Sequence, residues 1–308
     1  AETLEDPALP ADALNRERDA QLADLREAAE DPLKTAFRLL RARLFGERDY
    51  GLPRLGTEAS LAGLTTESLH AHHREFITRG NGVLAVFGDI DPDEVAARCD
   101  EAFASLPDGS GHPREPSRTD GRGEVHAHLE KQQAVIAIGF PGATVQSDDV
   151  PALELIHDYC ANMAGPLFSR LREELGLAYY VSATQFHGVG AGLFAFYIGT
   201  SPDQAPLARE ELLGQIDLLA REGIPGEALE HSRTSVLAAD ALENQSNRSM
   251  AQTCALNTLF DLGPRHHEEH AARIRALSAD DVARVAARYF GEQEPVLASV
   301  QPGQATTG

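Results

Sequence analysis

The sequence predicts an α+β fold in two segments separated by a polar linker. Three observations predict it. Residues 107–123, PDGSGHPREPSRTDGRG, hold four glycines and three prolines and almost no hydrophobe. Residues 124–308 read as about five strands among several helices. Residues 1–106 read as four helices with one strand-like run.

The elements follow from local signals. Residues 11–30 form a charged helix after the turn at Pro10. Asp31-Pro32 opens a second helix through Phe45, with proline in a favoured first-turn position. A loop with Gly46, Gly51, Pro53 and Gly56 follows, and Thr65 or Thr66 caps a helix near 66–78, with Glu67 in its first turn. The run GVLAVFGD, 82–89, reads as a buried strand, and Asp91-Pro92 starts a helix to about Leu106. Beyond the linker, 124–130 and 132–140 read as strands, the first placing Val125, Ala127 and Leu129 on one face. Helices are expected at 147–163 and 166–175, and strands at 178–187 and 191–199. Helices then fill 203–223, 227–242, 246–262, 266–276 and 279–290, before a closing strand at 295–300.

A single strand cannot satisfy its own backbone donors and acceptors. The first segment is therefore expected to be incomplete. Its missing strands would precede Ala1 or come from another chain.

Composition narrows the class. A chain of 308 residues with 42% hydrophobic content can bury two cores. No apolar run reaches the roughly 20 residues that a membrane helix needs. No signal peptide is read at the N-terminus, and a start at Ala1 fits a trimmed or processed chain. A soluble protein is expected, cytoplasmic or periplasmic. The net charge of −21 argues against nucleic acid and anionic membranes as partners, and permits basic or neutral peptides. Lysine occurs only at Lys34 and Lys131; the other basic residues are arginine. Cys99, Cys160 and Cys254 have no metal-binding or disulfide spacing and read as small buried residues.

The segment GPLFSRLREELGLAYYV, 165–181, carries the clearest chemistry. Gly176 breaks a helical run, and Tyr179–Val181 has strand preference. Arg172 and Tyr179 stand seven residues apart across that break. The turn can aim a guanidinium and a phenol at one spot, where both donate directed hydrogen bonds to a peptide backbone or a carboxylate. The same residues also read as an amphipathic helix and strand with polar groups in solvent.

This segment resembles the arginine–tyrosine motif in the second domain of pitrilysin-type zinc metallopeptidases, roughly S-x-L-x-x-x-L-R-x-x-x-x-x-G-x-x-Y. Further runs resemble that family in the same order: PRLGTEASLAGLT (53–65), VFGDID (86–91), Gln133 with the strand to Gly139, and SADDVARVAARYF (278–290). The resemblance implies two α/β-roll domains, each an antiparallel-rich sheet packed by helices. The first, 1–106, would be N-terminally incomplete, and the second, 124–308, complete. It also implies that Arg172 and Tyr179 bind substrate.

The family's zinc chemistry uses an HxxEH motif and a later glutamate ligand in an E-R-x-x-x-x-x-E pattern. Here that pattern corresponds to Glu17-Arg18 through Asp24, one methylene short, with only sixteen residues before Glu17. Two carboxylates without histidine hold zinc poorly, so a solvated acidic face is expected. His266-His267-Glu268-Glu269-His270 matches an inverted motif by letter, but in a polar run near the end of the second segment. It reads as a chance match able to bind adventitious metal. HAHHREF, with His70, His72, His73 and Glu75, has Phe76 where a second histidine is needed. No catalytic or metal residue is therefore expected in this chain, and the chain alone is expected to cleave no peptide bond.

The resemblance implies a non-catalytic C-terminal half or subunit of a pitrilysin-type zinc metalloendopeptidase, forming a chamber wall and helping to hold the peptide. Zinc would lie in the catalytic half of the intact enzyme. The expected partners are a peptide substrate and the catalytic peptidase half or subunit, with a homodimer as a further arrangement. Two rival readings are a structural or assembly subunit of the same fold, and a stand-alone metallopeptidase using His266, Glu269 and His270.

Overall fold

The computed structural model of the chain describes residues 2–111 and 117–303, so 112–116 of the expected linker lie outside the described residues. The chain forms two compact units. One comprises Ala1–Arg26, Leu55–Arg114 and Leu242–His267; the other comprises Glu27–Arg54, Glu115–Ala241 and Glu268–Gly308.

Local punctuation sets many helix boundaries. α1 spans Glu2–Glu5 and α2 Ala11–Glu30. Asp31 opens α3, Pro32–Phe45: its carboxylate accepts from the amides of Leu33 and Lys34, while Pro32 sits where no amide donor is needed. α4 (Glu58–Ala62) and α5 (Thr66–Phe76) each begin with a reciprocal capping box, Thr57 with Ser60 and Thr65 with Ser68. Asp91 and Pro92 open α6, Pro92–Ala102, as Asp31 and Pro32 open α3. The remaining helices are α7 (Val150–Ala161), α8 (Ala205–Glu222), α9 (Gly226–Glu243), α10 (Asn247–Leu259), α11 (His266–Ala276) and α12 (Ala279–Ala286).

The second unit is built on a five-stranded sheet. Its strands are β1 (Gly123–Leu129), β2 (Ala134–Gly142), β3 (Tyr180–His187), β4 (Gly192–Thr200) and β5 (Val296–Pro302), in the order β1-β5-β2-β4-β3. Only β1–β5 is parallel; β5–β2, β2–β4 and β4–β3 are antiparallel. Period-two alternation divides the central strands between two cores. Ile136, Ile138 and Phe140 of β2 join Phe194, Phe196 and Ile198 of β4 on one face, beneath α7, α8 and α12. Val135 and Ala137 join Leu193, Ala195, Val296 and Ala298 on the other, beneath Ala36, Leu40 and Leu44 of α3. β2 is therefore buried on both sides, which explains its unbroken apolar run. α3 approaches so closely at Gly139 that an added Cβ would lie 2.7 Å from Leu40 Cδ2. α3 thus belongs with this sheet, although the linker-based partition had placed residues 32–45 with 1–106.

The first unit has little core. Of the buried hydrophobic residues of the described chain, only Leu61 and Cys254 lie in it. Side chain–backbone bonds tie it together: Arg18 donates to the carbonyls of Leu61 and Leu64, and Gln21 to that of Leu55. The expected buried strand at 82–89 is not found. The backbone there has no strand partner among the described residues, and Val83, Leu84, Val86, Phe87 and Ile90 are exposed. Apolar character alone predicted burial. No facing strand among the described residues of this unit supplies it.

Candidate substrate-binding site

The arginine–tyrosine segment departs from a regular helix. Phe168–Glu174 is a π-helical turn, in which the Leu175 amide reaches back to the Arg170 carbonyl at 3.1 Å. Such turns are uncommon and frequent at functional sites. Sequence periodicity predicted an ordinary helix here, because one extra residue per turn leaves no mark on composition.

The turn ends by folding onto itself. Gly176 takes φ +62°, the left-handed conformation that glycine adopts without penalty, and nothing crowds it. The amides of Leu177 and Ala178 then both donate to the Leu171 carbonyl, at 2.9 and 3.2 Å. Buried Leu171 and Leu177 pin this junction to the core, and Thr200 Oγ1 donates to the Leu177 carbonyl at 2.7 Å. The Tyr179 amide donates to the Gly199 carbonyl at 2.9 Å, which starts the β3–β4 ladder. Arg172 and Tyr179 therefore flank one hydrogen-bonded junction, each next to a residue that the junction fixes.

Their side chains stay outside. Tyr179 is 53% exposed, and Arg172 is exposed with its guanidinium carbon 5.0 Å from the Phe168 ring centroid. The neighbouring Arg170 differs. It pairs with Glu174 at 2.9 Å and with Glu211 at 3.4 Å, so its charge is matched by carboxylates of its own chain at the surface. Among the described residues Arg172 has no ion pair and no hydrogen bond. Of the two arginines, only Arg172 retains a guanidinium for an external acceptor.

The zinc-like motifs are not assembled into a centre. Among the described residues no group of three or more His, Cys, Asp or Glu side chains is placed to hold a metal ion. His266 and His270 both lie on α11, but His270 Nε2 is 3.3 Å from Glu154 Oε2 of α7. Glu154 is half-buried, and desolvation first, then the Asp240 charge, raise its carboxyl to about 7, against a smaller opposing effect of Arg273. His70, His72, His73 and Glu75 lie along α5, where the His72 ring packs 4.4 Å from Phe76. Cys160 and Cys254 are buried as expected, whereas Cys99 is half-buried. No described helix is long and apolar enough to cross a membrane.

Residues 63–236, more than half of the chain, match the family model described as the peptidase M16 inactive domain. The chain belongs to that family. An uncharacterized zinc protease of Rickettsia bellii is 23% identical over 300 residues, covering 94% of this chain and 70% of that protein. The uncharacterized zinc protease YmxG of Bacillus subtilis is 24% identical over 297 residues, with the same coverage. The crystal structure of a peptidase M16 inactive domain from Pseudomonas fluorescens superposes with a TM-score of 0.91 at 20% identity, covering 99% of this chain and 73% of that one. A chain of complex III2 from Candida albicans, solved with Inz-5 bound, has a TM-score of 0.76 at 16% identity, covering 93% and 70%. The family suggested by the arginine–tyrosine segment is thus the family found, and its mixed sheet-and-helix fold is shared.

Proposed function

We propose that this peptidase M16 inactive domain serves as the non-catalytic half or subunit of a zinc metalloendopeptidase, and that Arg172 and Tyr179 hold the substrate peptide. The observation that carries the reading is the Arg172 guanidinium. It is exposed, held over Phe168 and unspent, while its neighbour Arg170 is neutralised. Relatives named as zinc proteases support a proteolytic setting. Zinc would then be held by the catalytic half. The acidic chain would line part of a chamber and favour basic peptides. In this reading the chain positions substrate, and bond cleavage occurs elsewhere.

A charge-assisted hydrogen bond contributes about 1.5–3 kcal/mol, or roughly 10- to 100-fold in affinity. Arg172→Ala is therefore expected to weaken binding of an unfolded peptide by at least about tenfold, and Tyr179→Phe by a smaller factor. Titration of a labelled peptide into the assembled protein measures both. Unchanged affinity in both variants would sink the substrate-holding role. It would leave the structural-subunit reading, which the likeness to a chain of complex III2 favours.

In the same reading, 1–106 apart from α3 is part of a first domain, 107–123 a linker and 124–308 a second domain that α3 completes. The exposed run 82–90 would become a sheet strand once partners from outside these 308 residues pair with it. Its amides are expected to exchange with solvent within seconds in the 308-residue chain. Hydrogen exchange by mass spectrometry checks this, and slow exchange across 83–87 would overturn it.

A further inference from the structure

α3 does not cover the whole of its sheet face. Between it and the outer strands lies a pocket of about 330 Å³, lined by Leu33, Phe37 and Arg41 of α3 and by Phe186, Leu193 and Tyr197 of β3 and β4. That volume is at the lower end of the range for ligand sites. The lining is mostly apolar and aromatic, with the polar side chains of Thr184 and Gln185 and one cation. Phe37 meets Tyr197 edge-on at 5.5 Å, and the Arg41 guanidinium carbon lies 5.4 Å from the Phe186 centroid.

Arg41 is the unexplained member. Its Nε donates to the Tyr50 carbonyl at 2.8 Å, which fixes the plane of the guanidinium. Among the described residues its Nη groups have no acceptor, and no carboxylate lies within ion-pair distance. Burial, and secondarily the Arg54 charge, hold its pKa below the ordinary arginine range. In a chain of net charge −21, a half-buried arginine without a counter-charge is complementary to a ligand anion. A guanidinium presents a flat donor pair that a carboxylate matches bidentately.

The neighbouring backbone selects the kind of carboxylate. β3 is the edge of the sheet, bonded to β4 on one side and to no strand on the other among the described residues. Such an edge can accept an extended peptide through main-chain hydrogen bonds. We propose that this pocket takes the C-terminal residue of a peptide. Its large apolar side chain rests against Phe37, Phe186 and Tyr197, its α-carboxylate sits on Arg41, and its preceding backbone runs along β3. This site is separate from Arg172 and Tyr179 and does not depend on their role.

The test compares a short fluorescein-labelled peptide ending in phenylalanine as the free acid with its C-terminal amide, by fluorescence anisotropy. The acid is expected to bind about tenfold or more tightly than the amide. Arg41→Gln is expected to abolish that preference. Equal binding of acid and amide by the unaltered protein overturns the proposal, as does a preference that survives Arg41→Gln. Binding of 3-phenylpropionate as tight as that of the peptide acid would overturn the assignment to a peptide. If Arg41→Gln fails to fold by circular dichroism, Phe37→Ala replaces it: weaker acid binding supports the pocket, and unchanged binding overturns it.

Discussion

Replacing Phe196 by alanine is expected to lower the unfolding free energy of the sheet-bearing unit by about 3–5 kcal/mol. Phe196 is fully buried at the centre of an aromatic cluster. Its ring lies 5.1 Å from Phe194, 5.3 Å from Phe290 and 6.3 Å from Phe140, centroid to centroid. These partners come from β4, β2 and the turn after α12, so the cavity would open among elements distant in sequence. Backbone hydrogen bonds of β4 to β2 and β3 hold the site open and prevent easy collapse. Urea denaturation followed by circular dichroism measures the effect as a lower midpoint at unchanged slope. A loss below about 1 kcal/mol would show that the cluster is not the core described here.

Glu154→Gln is expected to stabilise the protein above neutral pH and to flatten its pH dependence. An unfolded glutamate loses its proton near 4.5, whereas folded Glu154 keeps it to about 7 because its carboxyl is partly withdrawn from water and faces the Asp240 charge. Between those values the folded state binds more protons than the unfolded one, so stability falls as pH rises. The contribution is fully present below pH 4.5 and lost as pH passes 7. The shift corresponds to at most about 3 kcal/mol. The Arg273 charge offsets part of the loss. Glutamine has no proton to lose and removes this source of slope. Denaturation midpoints at pH 5 and pH 8 check it: equal wild-type stability at both, or an unchanged slope in the variant, would refute it.

Much of the fold was legible because its signals are local. Asp31-Pro32, Asp91-Pro92 and Thr65 act within one turn of their own backbone, so their caps could be read directly. The alternation of Val125, Ala127 and Leu129 needed only a strand's period of two; the three share one face as expected, and that face packs beside the α3 core. The run at 82–89 misled for the converse reason. Valine, leucine and phenylalanine report a preference for burial, but burial also requires a partner surface, and none among the described residues of the first unit buries this run. The inverted zinc motif of α11, read from the sequence as a chance match, shows the limit of letter spacing. Letter spacing does not say that His270 lies beside Glu154.

The sequence by itself determined the family, the five strands of the sheet, most helix starts, and Arg172 with Tyr179 as the residues of interest. The strands, the helix starts and the arginine–tyrosine pair rest on residues close together in the chain, and the family on short runs kept in order along it. The tertiary structure decided which arginine remains available. Arg170 is neutralised partly by Glu211, 41 residues away, while Arg172 stands on a π-helical turn over Phe168. It also decided that α3 closes the second face of the sheet, and that Arg41 is left beside an edge strand without a counter-charge. Charge compensation and pocket lining depend on which distant residues meet, and only the packed chain determines that.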